Sequence, residues 1–407
     1  MNARRSTTLF VLGASSGLPL FLTSKTLQAW MTNAGTDIRS IGLFSLASLP
    51  YSLKFLWAPL LDRYRLPFGG RRRGWILASQ ILLALAVAAM ACTDPRTALA
   101  PLAAAAVLVA FLSATQDIAF EAWRVDVLPP ESRGSGASIA VLGYRAALLL
   151  TGAGALVWSQ RIGWRTTYLL LALLQVLLGV ATLLAPEPEG TARAPSSLRD
   201  AVVQPFAAFV RSRGFGAAAI ALGFVATFKW GVYLVSSAST PFLLAQGYSN
   251  AEVGTVLGGA GLVATLAGTA AGGFAMTRLS VRAALWAFGG LQGICGLLFW
   301  ALALQGRNPS LMAAAVVSEN FFVGMGSAAL VAWMLGECDP RFSATQFALL
   351  SSLMAFSRDV LTAPWGWLSK ALGWPGFFLV SLAACLPGLL LLALAGGRRP
   401  DSATSGG

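Results

Sequence analysis

The chain has 407 residues, of which 56% are hydrophobic and 11% charged. Its mean hydropathy is +0.70. That leaves too little polar surface to coat a soluble globule of this size, which excludes a water-soluble enzyme or binding module and implies a polytopic helical membrane protein. The formal net charge of +13 would suggest a nucleic-acid partner in a soluble protein, but its placement along the chain sets membrane orientation instead, and no nucleic acid is expected.

A bilayer core of about 30 Å takes roughly 20 residues at helical rise. Apolar stretches of that length predict twelve helices, at 7–32, 40–61, 74–92, 98–121, 136–158, 165–185, 214–244, 250–275, 283–304, 310–336, 346–369 and 374–395. No alternating strand pattern competes with them. Arg4 and Arg5 precede the first run as in a signal peptide, yet no small-residue cleavage site follows, so an uncleaved helix is expected. Loops on the side of the N-terminus hold 18 Lys/Arg and the opposite loops 6, which places both termini in the cytoplasm.

The one long polar connection, PEPEGTARAPSSLRD at 186–200, divides the helices six and six. The expected organisation is a first bundle at 1–185, a cytoplasmic linker at 186–213 with a short surface helix from Ser197 to Val210, a second bundle at 214–396 and a tail at 397–407. The halves resemble each other at matching places. Gly35 and Gly42 flank the first external turn, as Gly247 and Gly254 flank the turn after span seven, and PPESRG at 129–134 corresponds to DPRFSA at 339–344. Arg145 and Arg358 fall 213 apart on spans five and eleven.

Ionisable residues inside the spans are Lys25, Lys54, Asp117, Glu121, Arg145, Lys229, Glu319, Arg358 and Asp359, and spans three, six, nine and twelve have none. Because lipid-facing charge is costly, every third helix is expected at the periphery while the others line an interior. A twelve-helix bundle of three-helix units, in two pseudo-symmetric halves, is the arrangement of the major facilitator superfamily.

Specific stretches carry a closer resemblance. SSGLPLFLTSKTLQAWM, IGLFSLASLPYSLKFLWAPLLDRY, GRRRGWI, SATQDIAFEAWRVDVLPPESRGSGA, LGYR, SENFFVGMGSAALVAWM and FSATQFALLSS resemble the AmpG-type anhydromuropeptide permeases. The resemblance implies proton-driven, alternating-access uptake of N-acetylglucosaminyl-anhydro-N-acetylmuramyl peptides across the bacterial inner membrane, for cell-wall recycling. A monomer is expected. Some family members have fourteen helices where this chain has room for twelve. A carrier of another anionic metabolite, such as acetyl-CoA or a sugar conjugate, or a drug exporter, is the alternative.

Span four ends in QDIAFEAWRVD at 116–126. Asp117, Glu121 and Arg124 lie along one helical face, with Asp117 about 6 Å deeper than Glu121. Two close carboxylates hinder each other's ionisation, while Lys54 or Arg145 nearby would favour it, a balance suited to carrying a proton. Asp117 is the first candidate carrier and Glu121 the second; the competing reading is a latch at the cytoplasmic mouth. Glu319 is either a further titrating site or a counter-ion for Lys25 or Lys229. With no histidine in the chain, a carboxylate must do this work near neutral pH.

Muropeptides carry carboxylates, which makes Lys25, Lys54, Arg145, Lys229 and Arg358 candidate ligand contacts. Gln28 belongs to the polar patch around Lys25, while Trp230 and Tyr233 could offer aromatic faces to a sugar peptide. Arg358 and Asp359 are adjacent on a helix and are expected to point apart, to different partners. Asp62, Arg63 and Arg71, in a loop resembling the superfamily's cytoplasmic signature, join Arg124, Asp126 and Asp359 as gating candidates. Gly13, Gly17, Pro19, Pro50, Pro59 and Pro241 are backbone breaks of possible use; the glycines of span eight (258, 259, 261, 268, 272, 273) suit close packing. The sequence offers no nucleotide loop, metal cluster or nucleophilic triad, so neither enzymatic activity nor a metal or cofactor is expected. Cys92, Cys295, Cys338 and Cys385 are expected as reduced thiols.

Overall fold

The computed structural model describes residues 3–70, 72–128, 133–186, 204–338 and 343–395. Arg71, most of PPESRG and DPRFSA, the linker at 187–203 and the tail at 396–407 lie outside the described residues. Within them the chain is helical and contains no strand.

The first span is Ala3–Leu22 continued by Lys25–Asn33, and the second is cut into short helical and 3₁₀ pieces across 38–63. Spans three and four are Arg73–Ala91 and Leu99–Val127. The fifth runs Arg133–Leu149 and on through a π-helical turn at Leu150–Gly154, then folds back into the sixth at Gly163, with φ 77°. The seventh is Phe215–Thr227 and Trp230–Ala245, the eighth Asn250–Val253, a π-helical stretch Gly254–Ala260 and Gly261–Ala275. Spans nine and ten are Val281–Gln305 and Pro309–Gly336. The eleventh starts as Ser343–Thr362 and ends at Gly373, φ 64°, where the chain reverses into the twelfth, completed by Leu386–Ala395.

Nine described helical segments are long and apolar enough to cross a membrane. One of these, Ser138–Leu183, makes two crossings because it folds back at Gly163, while the fragmented second span and Ser343–Thr362 fall short of that criterion. The twelve-span layout accounts for both. A helix in the linker covers Gln204–Arg213, displaced from the expected 197–210, and its last turn carries Arg211 and Arg213, favourable against the helix dipole.

The repeat expected from Gly35 and Gly247 is built into the backbone. Both take positive φ, 76° and 83°, ending the first helix of each half, and each is followed two residues later by a helix cap, Asp37 or Ser249. Gly163 and Gly373 form a second matched pair, both at positive φ between the last two helices of a half.

The tightest packing joins spans one and five, three and six, three and four in the first half, and eight and ten, nine and ten in the second. Lipid supplies no hydrophobic drive between helices, so close backbone approach must hold such pairs. Gly13 and Gly17 of span one abut the carbonyls of Ala140 and Tyr144, and Gly143 abuts Phe10; they are packing positions rather than hinges. Span one breaks at 23–24, just beyond Pro19. In span eight Gly268 and Gly272 press on Phe321 and Met325 while Gly259 and Gly273 face open space.

Spans three, six, nine and twelve present rows of exposed Leu, Ile and Val, among them Leu85, Leu177, Ile294 and Leu390, and so lie at the periphery. Buried amides tie two of them inward. Ser15 Oγ accepts from Gln80 Nε2 at 2.8 Å, Gln116 Nε2 at 3.0 Å and Gln175 Nε2 at 3.0 Å, and Thr182 donates to Gln80 Oε1 at 2.8 Å. Spans one, three, four and six of the first half thus meet at one hydroxyl.

Gly268→Val is expected to overpack against the Phe321 carbonyl and cost about 1–3 kcal/mol, lowering the unfolding temperature of detergent-purified protein, whereas Gly273→Ala leaves it unchanged. Equal melting of the two variants would refute the packing role.

Candidate functional site

Helices of opposite halves converge on the side away from the N-terminus. There Lys25–Asn33 packs on Trp230–Ala245, Ile38–Leu43 on Trp365–Ala383, and the two π-helical stretches on each other. Small residues permit this: Gly42 lies against Ala363 and Gly366, Gly366 against Ile38, and Gly258 against Ala153. Asn33 Nδ2 donates to Asn250 Oδ1 at 3.0 Å, whose own amide donates to Ser159 at 3.1 Å. Lys370 Nζ meets Asp37 Oδ2 at 2.6 Å, the one described ion pair that joins the halves. The halves are thus joined on the side away from the N-terminus, next to the interior that carries the ionisable residues.

Three lysines face that interior from interruptions in their helices. Lys25 follows the break in span one, Lys54 opens a 3₁₀ turn in span two, and Lys229 occupies the break in span seven. A helix piece ending beside an ammonium favours it through its dipole, and loosened backbone supplies carbonyl acceptors. Lys25 Nζ donates across the halves to Ser236, to its carbonyl at 3.4 Å and its Oγ at 3.3 Å. Lys229 donates to Ser327 Oγ and to the Val323 carbonyl at 3.4 Å, with its Nζ 5.7 Å from the Tyr233 ring centre. Lys54 lies within electrostatic reach of Asp117.

The two interior arginines stand on unbroken helix. Among the described residues the buried Nε of Arg145 has no hydrogen-bond partner. Arg358 does pair with its neighbour: its Nε is 2.8 Å from Asp359 Oδ1, which corrects the expectation that the two point apart. The arginine is long enough to curl back along the helix, and the second oxygen of Asp359 accepts from Ser52 of the other half at 2.9 Å. Tyr144 lies within electrostatic reach of Asp117, Arg145 and Arg358, Tyr51 of Asp117, and Tyr233 of Arg358.

The carboxylates separate into kinds. Asp117 accepts from Ser16 Oγ at 2.5 Å and makes no contact ion pair among the described residues. Glu319 is buried, 4% exposed, with Lys25 as the cation within its reach. Glu121 is instead half-exposed near the mouth and pairs with Arg124. Asp126 takes Arg72 Nε at 3.0 Å, bracing the loop after span two within its own half. The side chains of Asp62 and Arg63, and all of Arg71, lie outside the described residues.

Of the remaining candidates, Gln28 is buried with its Oε1 unpaired among the described residues, and Trp230 spends its ring N–H on the Leu361 carbonyl at 3.2 Å. Sequence reasoning missed Ser16, Tyr51, Tyr144, Ser236 and Ser327, whose uncharged groups carry no signal in a count of ionisable residues. It also missed Asp37 and Lys370, which lie in different halves. The four cysteines are free thiols, and among the described residues no cluster of His, Cys, Asp or Glu could hold a metal.

Residues 8–358 match the family model of the Major Facilitator Superfamily. The chain is 48% identical to the "Anhydromuropeptide permease" of Escherichia coli K12 over 390 residues, covering 95% of this chain and 79% of that relative. It belongs to the major facilitator superfamily, among the AmpG-type permeases. Solved structures share the fold at low identity. One is a POT family transporter in complex with 5-aminolevulinic acid, with TM-score 0.75 at 12% identity over 96% of each chain. Another is a bacterial homolog to the human lysosomal transporter Spinster, inward-facing and unoccupied, with TM-score 0.72 at 17% identity over 97% of each chain. This permease is a membrane transporter and not an enzyme.

The Lys370 ammonium, and after it the Arg39 backbone N–H, hold the Asp37 carboxyl below its ordinary value. A depressed value means the pair stabilises the closed outer face above the unperturbed pKa, about 3.9, and is lost only as pH falls through the lowered one. Across about pH 5–8 the latch is therefore constant, and salt weakens it. Asp37→Asn keeps the cap but removes the charge; for so exposed a pair the shift toward outer opening is expected to be small, about twofold. Spin-label distances between Thr97 and Leu372 check this, and a population that changes steeply between those pH values would contradict it.

Proposed function

We propose that this permease imports anhydromuropeptides, N-acetylglucosaminyl-anhydro-N-acetylmuramyl peptides, across the bacterial inner membrane with protons, by alternating access. Both termini are cytoplasmic in this reading, consistent with the excess of Lys/Arg on their side. The observation that carries it is the interior itself: Lys54, Arg145 and Arg358 lie within electrostatic reach of Asp117 or of Tyr144 and Tyr233, a set of cations and phenols suited to a charged, partly apolar solute. The relative at 48% identity supplies the class of that solute.

Each element of the cycle has a candidate. Arg145, with an unspent donor, is the ligand-carboxylate contact; tyrosine faces suit sugar rings. Asp117, held by one neutral donor and unpaired, is the proton carrier. Glu319 acts as counter-ion to Lys25 and as a second titrating site in the other half. Lys25 tethers the halves through Ser236, so ligand that draws it away loosens the outer seam. Glu121, Arg124, Arg72 and Asp126 brace the inner end of the first half, and Asp359 links Arg358 to Ser52 across the middle. The two six-helix halves rock as units about this site.

Proteoliposomes with labelled anhydromuropeptide, with and without an inward proton gradient, test the reading: saturable accumulation that collapses with protonophore is expected. Indifference to muropeptide alongside uptake of another anion would select an alternative anionic substrate for the same chamber. Asp117→Asn is expected to abolish gradient-driven accumulation while sparing counterflow exchange; loss of both at normal expression would place Asp117 in the binding site or gate instead. Arg145→Gln is expected to raise the half-saturating concentration about tenfold or more, the cost of one charge-assisted hydrogen bond, with gradient coupling intact.

A further inference from the structure

Spans one and four are joined by two consecutive rungs. Ser15 Oγ takes Gln116 Nε2 at 3.0 Å, and one residue along each helix Ser16 Oγ donates to Asp117 Oδ1 at 2.5 Å. Successive helical residues share one rigid backbone, so whatever fixes Ser15 also fixes where Ser16 stands against span four. Ser15 is held from two further sides. Gln80 of span three donates to it at 2.8 Å and Gln175 of span six at 3.0 Å, which with Gln116 exhausts the bonding capacity of a hydroxyl. Gln80 is itself anchored by Thr182, which donates to its Oε1 at 2.8 Å, and Gln175 reaches Gln116 Oε1 at 3.1 Å. Ser15, Gln80, Gln116, Gln175 and Thr182 are each no more than 1% exposed.

Stability alone is a poor account of this cluster. The Oε1 of Gln175 is buried and has no partner among the described residues, and a half-satisfied buried amide stabilises less than an apolar side chain of similar shape. Both outer amides come from peripheral spans that carry no interior charge. What they hold in place is the donor to Asp117, a carboxylate with no contact ion pair among the described residues. The break in span one at 23–24 lies about two turns beyond Ser16. The outer piece bearing Lys25 can therefore shift while the inner piece, pinned at Ser15 and pressed on span five at Gly13 and Gly17, stays where it is.

We propose that Gln80 and Gln175 are positioning residues for Asp117: by clamping Ser15 they keep the Ser16 hydroxyl on its carboxyl as that group takes up and releases a proton. The inference rests on Asp117 as the proton carrier. Lys54, Glu121, Tyr51 and Tyr144, which lie within electrostatic reach of the same carboxyl, are left unaltered by the variants below.

Infrared difference spectra of the purified full chain over an acid titration isolate the Asp117 carboxyl band as the one absent from Asp117→Asn. Gln80→Leu and Gln175→Leu are expected to move that band to higher frequency as the bond from Ser16 loosens. Both should also lower accumulation of labelled anhydromuropeptide under a fixed inward proton gradient about tenfold, the worth of one hydrogen bond to a charged group, with counterflow exchange retained. Thr182→Val, milder because it removes only the anchor of Gln80, should act in the same direction to a smaller degree. Gln292→Leu, at the matching place in span nine and with neither end of its amide partnered among the described residues, should leave band and accumulation at wild type. A band unmoved in all three first-half variants, or accumulation and counterflow falling together, would overturn the positioning role. A band that moves while Asp117→Asn still accumulates solute supports the clamp and overturns the carrier reading instead; a carboxyl band that never appears in wild type overturns both.

Discussion

Hydrocarbon gives an ionised side chain no hydration, and the arrangement of this permease follows from where its interior charges find substitutes for water. Lys25 and Lys229 find backbone carbonyls and serine hydroxyls on neighbouring helices. Arg358 finds Asp359. Asp117 finds one serine, and the Nε of Arg145 finds no partner among the described residues. The groups least satisfied by protein are thus the ones to which a ligand or a proton has most to offer.

The same constraint explains why helices break where they do. A lysine in mid-membrane needs acceptors, and an interrupted helix frees them; each interior lysine stands at an interruption of span one, two or seven. Arginine, with its longer reach and planar fork, is carried on intact helix at 145 and 358. The repeat relating the halves is correspondingly looser at charged positions than at the turns. Gly35 and Gly247, or Gly163 and Gly373, keep both residue type and positive φ, because a reversal at the membrane surface admits few backbone solutions.

Much of this was legible in the sequence because hydropathy and charge are the quantities a bilayer sorts. The spans and the peripheral position of every third helix follow from them, and so does the expectation of a cation such as Lys54 near Asp117. Uncharged polar groups were not legible by that route. Gln80 and Gln175 sit on helices without charge, yet with Gln116 and Ser15 they pin the first half; glutamine within an apolar run was the available signal. Gln292 lies 212 residues beyond Gln80, the offset of the repeat, but neither end of its buried amide has a partner among the described residues. Contacts between distant segments, such as Asp37 with Lys370, leave no local pattern. The adjacency argument failed for Arg358 and Asp359 because it treated side-chain direction as fixed where the arginine stem is flexible.

How firmly each surface is joined determines what can move. Within the first half, glycines let backbones touch and a buried amide cluster closes around Ser15, contacts that cannot be loosened without leaving orphaned donors. The seam between halves shares the close glycine packing, Gly366 on Ile38 and Gly258 on Ala153, but its polar joints among the described residues are one exposed ion pair and a few bonds at Asn250, Ser236 and Ser52. Polar bonds between membrane helices average about 0.6 kcal/mol and exposed ion pairs about 0–1 kcal/mol. The seam's polar contacts together are then of the order of a few kcal/mol, within the range that differential binding of a ligand and a proton can supply. Rigid halves over a weak seam make rotation, rather than local unfolding, the least costly response to loading the chamber.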